Sequence, residues 1–317
     1  MAATPGYRAL YASGELLRRK EAALERLSCC DLCSHRCGVN RLAGEQGFCR
    51  TGRLAVVSAH HPHFGEEAVL VGQGGSGTIF FANCNLGCVF CQNYEISHLG
   101  EGDEVSAPQL AAMMVRLEQQ GCHNINLVTP SHVVAQILEA LPLAVEAGLS
   151  VPLVYNTSGY DEVETLRLLE GIVDIYMPDF KFWSRTSSHR FAQAGDYPEK
   201  ARQAIIEMHR QVGDLLINGE GEGLAEHGLL VRHLVMPEGL AESRGIFDFL
   251  AGDVSPRTYV NVMEQYRPCG QAMNFPPLDR MLLPEEYRQA LELAGRAGLT
   301  RLEQRDFLAM LRALGVV

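Results

Sequence analysis

Three cysteines in the first third of the chain have the residue type and the spacing to hold an iron-sulfur cluster. Cys84, Cys88 and Cys91 stand in the segment FFANCNLGCVFCQNY as C-x3-C-x2-C. Three thiolates in one short loop can bind three irons of a [4Fe-4S] cube and leave the fourth iron open to an outside ligand. The alternative is a zinc site completed by a histidine such as His98 or His63, or a structural cluster without reactivity.

A second group of cysteines lies nearer the N-terminus. Cys30, Cys33, Cys37 and Cys49 follow the pattern C-x2-C-x3-C-x11-C, and Cys29 could replace Cys30 as a ligand. Four thiolates make a closed site, which predicts either structural zinc or an additional iron-sulfur cluster. Both alternatives are metal centres, so we expect a second metal site here.

The composition limits the class of protein. The chain has 317 residues, is 47% hydrophobic and carries a formal net charge of -11. It can therefore bury a full core, and the negative charge disfavours a broad grip on nucleic-acid phosphates. The N-terminus lacks an apolar segment behind a basic start, and no run of 18 apolar residues occurs. We expect a cytoplasmic protein that binds neither nucleic acid nor membrane, and in a reducing cytoplasm its ten cysteines favour metal binding over disulfides.

The elements that must position these cysteines alternate between strands and helices. From Thr78 onward, short apolar runs alternate with helical patterns six times, which predicts parallel strands with helices packed outside them. An open doubly wound sheet and a complete or partial barrel both fit this alternation. The predicted strands are TIFFAN, NINLVT, PLVYNT, VDIYMPD, LLVRHLV and TYVNVM, and the predicted helices lie near 107–120, 132–147, 161–170, 198–212, 243–251 and 284–297.

Polar residues fall at the carboxyl ends of the predicted strands. In parallel α/β folds these ends meet at one edge, where ligands bind. We therefore expect a single mouth that collects Cys84, Thr129, Asn156, Ser158, Asp179, Lys181 and Asn261.

The composition also changes along the chain. Residues 1 to about 75 contain a predicted amphipathic helix, the cysteine-rich segment and a loop-rich stretch that leads into VGQGGSGT, and they are predicted to form a small separate module. Residues 76–270 would form the strand-helix domain and 271–317 a C-terminal helical extension, whose last segment, LTRLEQRDFLAMLRALGVV, would cover the open side of that domain. His60, His61 and His63 lack the spacing of a metal site and are predicted to face solvent from a loop.

Several ordered blocks resemble a known superfamily. C-x3-C-x2-C with the aromatic Phe90 before its last cysteine, placed after the first strand of a βα repeat, resembles the radical S-adenosylmethionine (SAM) superfamily. Within it, the chain is similar from residue 28 to 317 to pyruvate formate-lyase activating enzyme-like proteins. The similar blocks are GSGTIFFANCNLGCVFCQNYEIS, NINLVTPSH, VYNTSGYDEVETL, VDIYMPDFKF, LLVRHLVMPEG and YVNVMEQYRP.

The resemblance implies a fold, a reaction and cofactors. It implies a partial (β/α)6 barrel with a [4Fe-4S] cluster whose open iron chelates SAM. Reductive cleavage of SAM would give a 5'-deoxyadenosyl radical, which abstracts hydrogen from a glycine on a partner protein or from a small molecule or peptide. It also implies an electron donor such as flavodoxin or ferredoxin. The protein itself would supply positioning, electrostatics and exclusion of competing reactions.

The resemblance further implies which residues contact SAM near the cluster. Phe90 would pack near adenine, and the backbone around Gln92 and Asn93 could read its edge. In the family, the second strand usually ends in a Gly-Gly-Glu type loop that meets the methionine amino group. This chain has Thr129-Pro130-Ser131 instead, and its two hydroxyls can accept from an ammonium group without the charge of a carboxylate.

The remaining predicted SAM contacts lie on later strands. Asp179-Phe180-Lys181 resembles the Asp-x-Lys pair of activating enzymes, in which Lys181 would meet the SAM carboxylate and Asp179 the ammonium or ribose hydroxyls; a surface ion pair is the alternative. Arg232 matches the family's arginine near the cofactor carboxylate. The other candidates are Asn156 and Asn261, which suit hydrogen bonds to ribose or carboxylate or else close a turn, and Ser158.

Two histidines are interpreted differently. His132 either faces the mouth or lies in solvent at a helix start, whereas His233 points away from the mouth and is interpreted as structural.

Two other functional classes remain open. One is an iron-sulfur electron-transfer protein without SAM chemistry, and the other is a zinc-dependent barrel enzyme. In activating enzymes with auxiliary clusters, the extra cysteines follow the SAM motif, whereas residues 92–121 contain none here. This difference weakens the transfer of the activating function in particular.

Overall fold

The fold is mixed α/β and is built around one large, mostly parallel sheet. The structure, a computed structural model, describes residues 4–219 and 223–303. The described strands are β1 (Ala55–His63), β2 (Ser76–Phe81), β3 (Asp103–Val105), β4 (Ile125–Val128), β5 (Leu153–Thr157), β6 (Ile175–Pro178), β7 (Leu216–Asn218), β8 (Leu224–Leu234), β9 (Tyr259–Met263) and β10 (Arg301–Leu302).

The parallel strands follow one another across the sheet in chain order. The order is β10-β9-β8-β6-β5-β4-β2-β1-β3, and β7 pairs with β8. All pairings from β2 through β4, β5, β6, β8 and β9 to β10 are parallel. The six strands predicted from the sequence are β2, β4, β5, β6, β8 and β9, so the parallel sheet is confirmed.

Helices connect these strands at the predicted places. The helix before β4, for example, begins with a capping box between Ser106 and Gln109 and carries Pro108 in its first turn. The described α-helices are α1 (Gly6–Ala12), α2 (Glu15–Glu25), α3 (Ala68–Val71), α4 (Ala107–Gln119), α5 (Val134–Glu146), α6 (Val163–Leu168), α7 (Arg185–Ala192), α8 (Tyr197–Val212), α9 (Ser243–Phe249) and α10 (Pro284–Ala297).

The first strand, β1, corrects one prediction from the sequence. Residues 55–63 were predicted as loop, but they pair antiparallel with β2 and with β3. His60, His61 and His63 therefore lie on a strand, and the His61 ring stacks on Phe80 at 5.6 Å between centroids. The prediction was wrong because His, Ser and Pro interrupt the alternation of apolar residues in AVVSAHHPH.

The short helix α3 fills the face of the sheet that the long helices leave open. Val69 and Leu70 pack with Val154, Ile175, Met177 and Leu230, which alternate with residues facing the helices. At the amino ends of the strands, Asn124 donates its side-chain N–H to the Leu70 carbonyl at 2.8 Å. Two hydrophobic cores therefore lie on opposite faces of one sheet.

The N-terminal helices lie against the body of the fold. The Tyr7 hydroxyl donates to the Val151 carbonyl at 2.9 Å, and Arg8 donates to the Leu149 carbonyl at 2.9 Å. Because β1 also joins the sheet, residues 1–75 and the strand-helix region share hydrogen bonds, and their division into separate domains stays a prediction. The proposed C-terminal extension contains the helix α10. Residues 304–317, which make up most of the segment predicted to cover the open side, lie outside the described residues.

The described helices were also compared with the requirements of a bilayer. Within residues 4–219 and 223–303, none combines the length and the apolar character needed to span a membrane.

Candidate active site

Three of the predicted polar residues form a connected ion network at the carboxyl ends of the parallel strands. Lys181 donates from Nζ to Asp179 Oδ2 at 2.5 Å, and Arg232 donates from Nε to Asp179 Oδ1 at 2.7 Å. A further guanidinium N–H of Arg232 reaches Asn156 Oδ1 at 2.6 Å. The alternative of an exposed surface pair is excluded for Asp179 and Lys181, whose side chains are 14% and 16% exposed.

The backbone places these residues in one row. Arg232 pairs with Asn261 in the parallel register of β8 and β9, and Asp179 forms a bridge to Arg232 just beyond β6. The hydroxyl of Tyr197 accepts the Lys181 backbone N–H at 2.9 Å and lies 2.9 Å from the Asp179 carbonyl and 3.0 Å from that of Ser158. A buried tyrosine therefore holds the ends of β5 and β6 together.

The network fixes the charges of its members. Burial alone would raise the pKa of Asp179, but the charges of Arg232 and Lys181 hold that pKa below its ordinary value. Burial likewise opposes the charge of Lys181, whereas Asp179 and then Cys88 raise its pKa above the ordinary value. The site thus holds one carboxylate between two cations at neutral pH.

The loop that carries Cys84, Cys88 and Cys91 leads from β2 into this network. Its backbone is anchored by the Gly87 N–H to the Ala192 carbonyl at 3.0 Å and the Val89 N–H to the Phe191 carbonyl at 2.9 Å. A side chain at Gly87 would come within 2.8 Å of Gln193 atoms. The loop therefore fits closely against the end of α7.

Two of the three sulfurs accept local hydrogen bonds. The Leu86 N–H donates to Cys84 Sγ at 3.3 Å, and the Ser97 hydroxyl donates to Cys91 Sγ at 3.1 Å. Burial raises the pKa of Cys88 to about 12, and the nearby charge of Lys181 acts against this rise. A cationic group beside a buried sulfur favours the thiolate form that a metal requires.

Cluster binding and single-ion binding make different demands on these thiols. Among the residues that the structure describes, no three His, Cys, Asp or Glu side chains surround one point closely enough to hold a single ion. In an iron-sulfur cube each cysteine binds a different iron, so the sulfurs lie around the cluster rather than around one atom. The three cysteines share one loop and one electrostatic environment, which fits a cluster.

The other residues predicted near the cluster occupy different environments. Phe90 is buried, with its ring centroid 5.9 Å from that of Phe182 and 6.3 Å from that of Tyr266. Gln92 and Asn93 are exposed, and Gln92 donates from its side chain to the Gln265 carbonyl at 3.2 Å. Their roles toward adenine stay predictions.

The Thr129-Pro130-Ser131 loop has an internal use for one of its hydroxyls. Thr129 adopts a left-handed backbone with φ of 62°, which a β-branched residue rarely does. The Ser131 hydroxyl lies 2.9 Å from that of Thr157, which itself donates to Asp161 at 2.5 Å. Ser131 is thus part of a buried network, and its contact with an amine stays a prediction.

The two histidines near the site are both buried. His233 donates from Nδ1 to the Phe180 carbonyl and accepts from the Ser243 hydroxyl at Nε2, each at 2.8 Å. Its structural role is confirmed. His132 is also almost fully buried, with Nε2 3.1 Å from the Ala82 carbonyl, so its placement in solvent is wrong.

Two glutamates that the sequence analysis did not select complete the network. Asn261 donates to Glu67 Oε1 at 2.7 Å, and an Arg232 guanidinium nitrogen lies 3.5 Å from Glu66 Oε2. Burial, followed by the charge of Glu67, raises the pKa of Glu66 to about 8. The signal in the sequence was a pair of carboxylates directly before the apolar run AVLV, in a segment that was interpreted as loop.

Further buried polar atoms face the same side of the sheet. Both amide atoms of Asn126 and Glu67 Oε2 have no hydrogen-bond partner among the described residues. Asn126 lies on the same face as Asn124 and α3, because alternate residues of a strand share a face. A polar ligand or ordered water could satisfy these groups.

The four N-terminal cysteines lie together in a turn-rich segment. Burial raises the pKa of Cys33, and Cys49, Cys30 and Cys37 each raise it further. This mutual influence shows that the four sulfurs share one region. All ten cysteines are among the described residues and none forms a disulfide.

The chain was compared with known proteins. It is 36% identical over 279 residues to a protein of Methanocaldococcus jannaschii named uncharacterized protein MJ0674, covering 85% of this chain and 75% of the archaeal protein. No protein-family model matches the chain.

Proposed function

The chain belongs to the protein family of this archaeal relative, whose name assigns no activity, and from its own site we propose that it is a radical SAM enzyme. In this proposal Cys84, Cys88 and Cys91 hold a [4Fe-4S] cluster. When bound, the cluster and SAM supply reductive carbon-sulfur cleavage to a 5'-deoxyadenosyl radical that removes hydrogen from a substrate.

One observation carries the proposal. The triad of Lys181, Asp179 and Arg232 stands at the carboxyl ends of β6 and β8, and Lys181 is close enough to Cys88 for each to change the other's pKa. A three-cysteine loop beside a pre-formed set of two cations and one carboxylate suits a ligand with both an ammonium and a carboxylate group. The amino acid portion of SAM is such a ligand.

The residues of the triad would contact different groups of the ligand. Lys181 and Arg232 would attract the ligand's carboxylate, and Asp179, which remains ionised because of these cations, would accept from its ammonium or ribose hydroxyls. Asn156 already orients Arg232 and leaves its amide N–H groups for a ligand. Asn261 is held by Glu67, so it would act by keeping that carboxylate beside Arg232.

The order of the strands supports a partial (β/α)6 barrel for this domain. A doubly wound sheet reverses its strand order at a switch point, whereas neighbouring parallel strands here follow chain order without reversal. The first parallel strand pairs with β1 rather than with the last, which would leave the ring open. An open side would admit a partner-protein glycine or a peptide as readily as a small molecule.

Anaerobic reconstitution tests the proposal. Wild-type protein reduced in the presence of SAM should give methionine and 5'-deoxyadenosine, as measured by chromatography. We expect Cys88→Ala to abolish both the product and the cluster absorbance. Lys181→Met should keep the cluster spectrum but bind SAM roughly 10–100-fold more weakly, because it loses a charge-assisted hydrogen bond.

The matched control is Cys122→Ala. Cys122 is buried but lies outside both cysteine groups, so this variant should keep the cluster and the product. Zinc without iron or sulfide in the reconstituted wild type, or a cluster that forms no 5'-deoxyadenosine, would contradict the proposal and favour the zinc enzyme or the electron-transfer protein, respectively.

A further inference from the structure

The guanidinium of Arg41 is a buried positive charge without a carboxylate partner in the described part of the chain. Arg41 is 1% exposed. It donates from Nε to the Gly52 carbonyl at 2.9 Å and from Nη1 to the His132 carbonyl at 2.8 Å, and Nη1 lies 3.8 Å from Cys30 Sγ. Its Nη2 has no hydrogen-bond partner within residues 4–219 and 223–303.

A buried guanidinium with neutral neighbours is costly. Removing an ion from water costs several kcal/mol unless an opposite charge lies nearby. His132 cannot supply that charge, and burial followed by Arg41 lowers its pKa to about 3. Of the hydrogen-bond partners that the structure describes for Arg41, the Cys30 sulfur is the one that can become negative.

The four N-terminal cysteines can supply this negative charge when they bind metal, because Cys30 Sγ already lies beside the guanidinium. A metal ion displaces the thiol protons and converts the thiols to bound thiolates. Four thiolates outweigh the charge of a divalent ion, so the loaded centre is negative and Arg41 gains a partner.

The backbone around these cysteines leaves room for such a centre. The Cys30 N–H donates to the Val39 carbonyl and the Gly38 N–H returns to the Cys30 carbonyl, each at 2.9 Å. A side chain at Gly47 would lie 2.4 Å from Cys37 Sγ. The missing side chain therefore opens a space beside the sulfur. The four sulfurs, all in the described part of the chain, do not surround one point closely enough for a single ion in this arrangement, so a single zinc ion would draw them together, whereas a cluster would lie between them.

The same segment braces the loop of the first cysteine group. His35 Nε2 lies 2.9 Å from the Asn85 carbonyl, next to Cys84. Arg50 donates to the Asn83 side chain at 3.2 Å and to the His98 carbonyl at 2.5 Å. The turns of the N-terminal cysteine group thus contact both ends of residues 83–98, the loop that contains Cys84, Cys88 and Cys91.

We propose that Cys30, Cys33, Cys37 and Cys49 bind a metal centre as four thiolates, that Arg41 is its charge partner, and that the loaded centre holds the 83–98 loop in place. The shared chemistry is a negative tetrathiolate centre, whether of zinc or of iron and sulfide. The bracing role rests on the proposed function, because it concerns the loop of the first cluster. The proposal that the four cysteines bind metal with Arg41 as charge partner does not rest on the proposed function.

The first experiment removes the other candidate site. In full-length protein with Cys84, Cys88 and Cys91 changed to Ser, metal analysis after anaerobic purification should give either about one zinc ion or stoichiometric iron and sulfide per chain. Either result supports the proposal. Protein without bound metal, even after incubation with zinc or with iron and sulfide, would overturn it.

The second experiment tests Arg41 in the same background. We expect Arg41→Met to release its metal at a chelator concentration about 10–100-fold lower than the parent requires. This is the usual effect of losing a residue that supports the metal ligands without binding the metal itself. Arg41→Lys, which keeps the charge, should lose much less. Equal metal retention by Arg41→Met and the parent would overturn the role of Arg41.

A stability measurement separates charge pairing from a general packing defect. Arg41→Met should lower the melting temperature of the metal-loaded protein more than that of the chelator-treated protein, because both states lose the hydrogen bonds to the Gly52 and His132 carbonyls but only the loaded state loses the charge pair. An equal loss in both states would overturn the proposal for Arg41.

The bracing role has its own measurement. In protein with the first cysteine group intact, Cys37→Ser should increase amide hydrogen exchange in residues 83–98 and lower the iron retained by that group. Unchanged exchange there would overturn the bracing role. Failure of SAM cleavage in protein that passes the metal tests would contradict only the proposed function.

Discussion

At the scale of single residues, the candidate site is a set of charges whose ionisation depends on burial. Asp179 is held ionised by Arg232 and Lys181, whereas Glu66, only 3.5 Å from Arg232, has its pKa raised to about 8 by burial and by Glu67. The Arg232 guanidinium thus lies near one carboxylate that stays charged and another that keeps its proton at neutral pH. This difference predicts a measurable pH dependence.

We expect Glu66→Gln to become increasingly more stable than the wild type as the pH rises. Between the ordinary pKa of 4.5 and about 8, folded Glu66 holds a proton that the unfolded chain has released, so the wild type loses stability as the pH rises through this window. Glutamine has no proton to lose. Urea unfolding at pH 5 and pH 9 should show a relative gain of a few kcal/mol, at about 1.4 kcal/mol per pKa unit.

The exposed Glu21 of α2 provides the control for this measurement. For Glu21→Gln, the difference from wild type should change by less than about 0.5 kcal/mol between the two pH values. A Glu66→Gln effect that does not vary with pH would contradict the raised pKa.

The sequence predicted some residues of the site better than others. Asp179 and Lys181 were found because the carboxyl-end rule places them without knowledge of tertiary contacts, and Arg232 was found because it matches the arginine of the similar family. Glu66 and Arg41 were not found, because each lies in an irregular segment whose position depends on the rest of the fold. Their partners are distant in sequence: Arg232 for Glu66, and His132 for Arg41.

At the scale of elements, the regular strand-helix units were predictable and the segment before them was not. The parallel strands are apolar, β-branched runs that alternate with helical patterns along the sequence, so the hydrophobic periodicity identifies them. The strand β1 has mixed composition and is partly or fully exposed from Ser58 to His63, and α3 has only four residues. Such short elements are stabilised by packing and hydrogen bonds to the sheet, and their own sequences do not identify them.

The helix α3 provides the prediction at this scale. Leu70 is fully buried between α3 and the open face of the sheet, so Leu70→Ala should reduce the free energy of unfolding by about 2–5 kcal/mol. The control Leu143→Ala, at a position of α5 that is 37% exposed, should cost less than about 1 kcal/mol. Equal losses in urea titrations would show that α3 is not an integral part of the core.

At the scale of the whole molecule, the N-terminal segment and the strand-helix region are joined by the sheet itself. β1 pairs with β2, and Arg41 and His35 contact the loops that follow β4 and β2. The sequence predicted two units here from the change in composition, which does not reveal shared hydrogen bonds, and this division stays a prediction. The boundary at residue 75 falls directly before a paired strand.

This connection predicts one cooperative unfolding transition. The single tryptophan, Trp183, reports on the strand-helix region, whereas far-UV circular dichroism reports on the helices of the whole chain. In urea, both signals of metal-loaded protein should change with the same midpoint. An earlier dichroism transition with unchanged tryptophan fluorescence would contradict it and favour separate domains.

The position of α3 also has a kinetic consequence. Its four residues occupy the inner face of the sheet at the amino ends of the strands, where Asn124 holds the Leu70 carbonyl. Among the described residues, α3 therefore lies toward the amino ends of the strands, whereas Lys181 and the cysteine loop lie at their carboxyl ends. If one ligand binds beside Glu66 and Asn126 and a second binds at Lys181, we expect the inner ligand to bind first and to leave last.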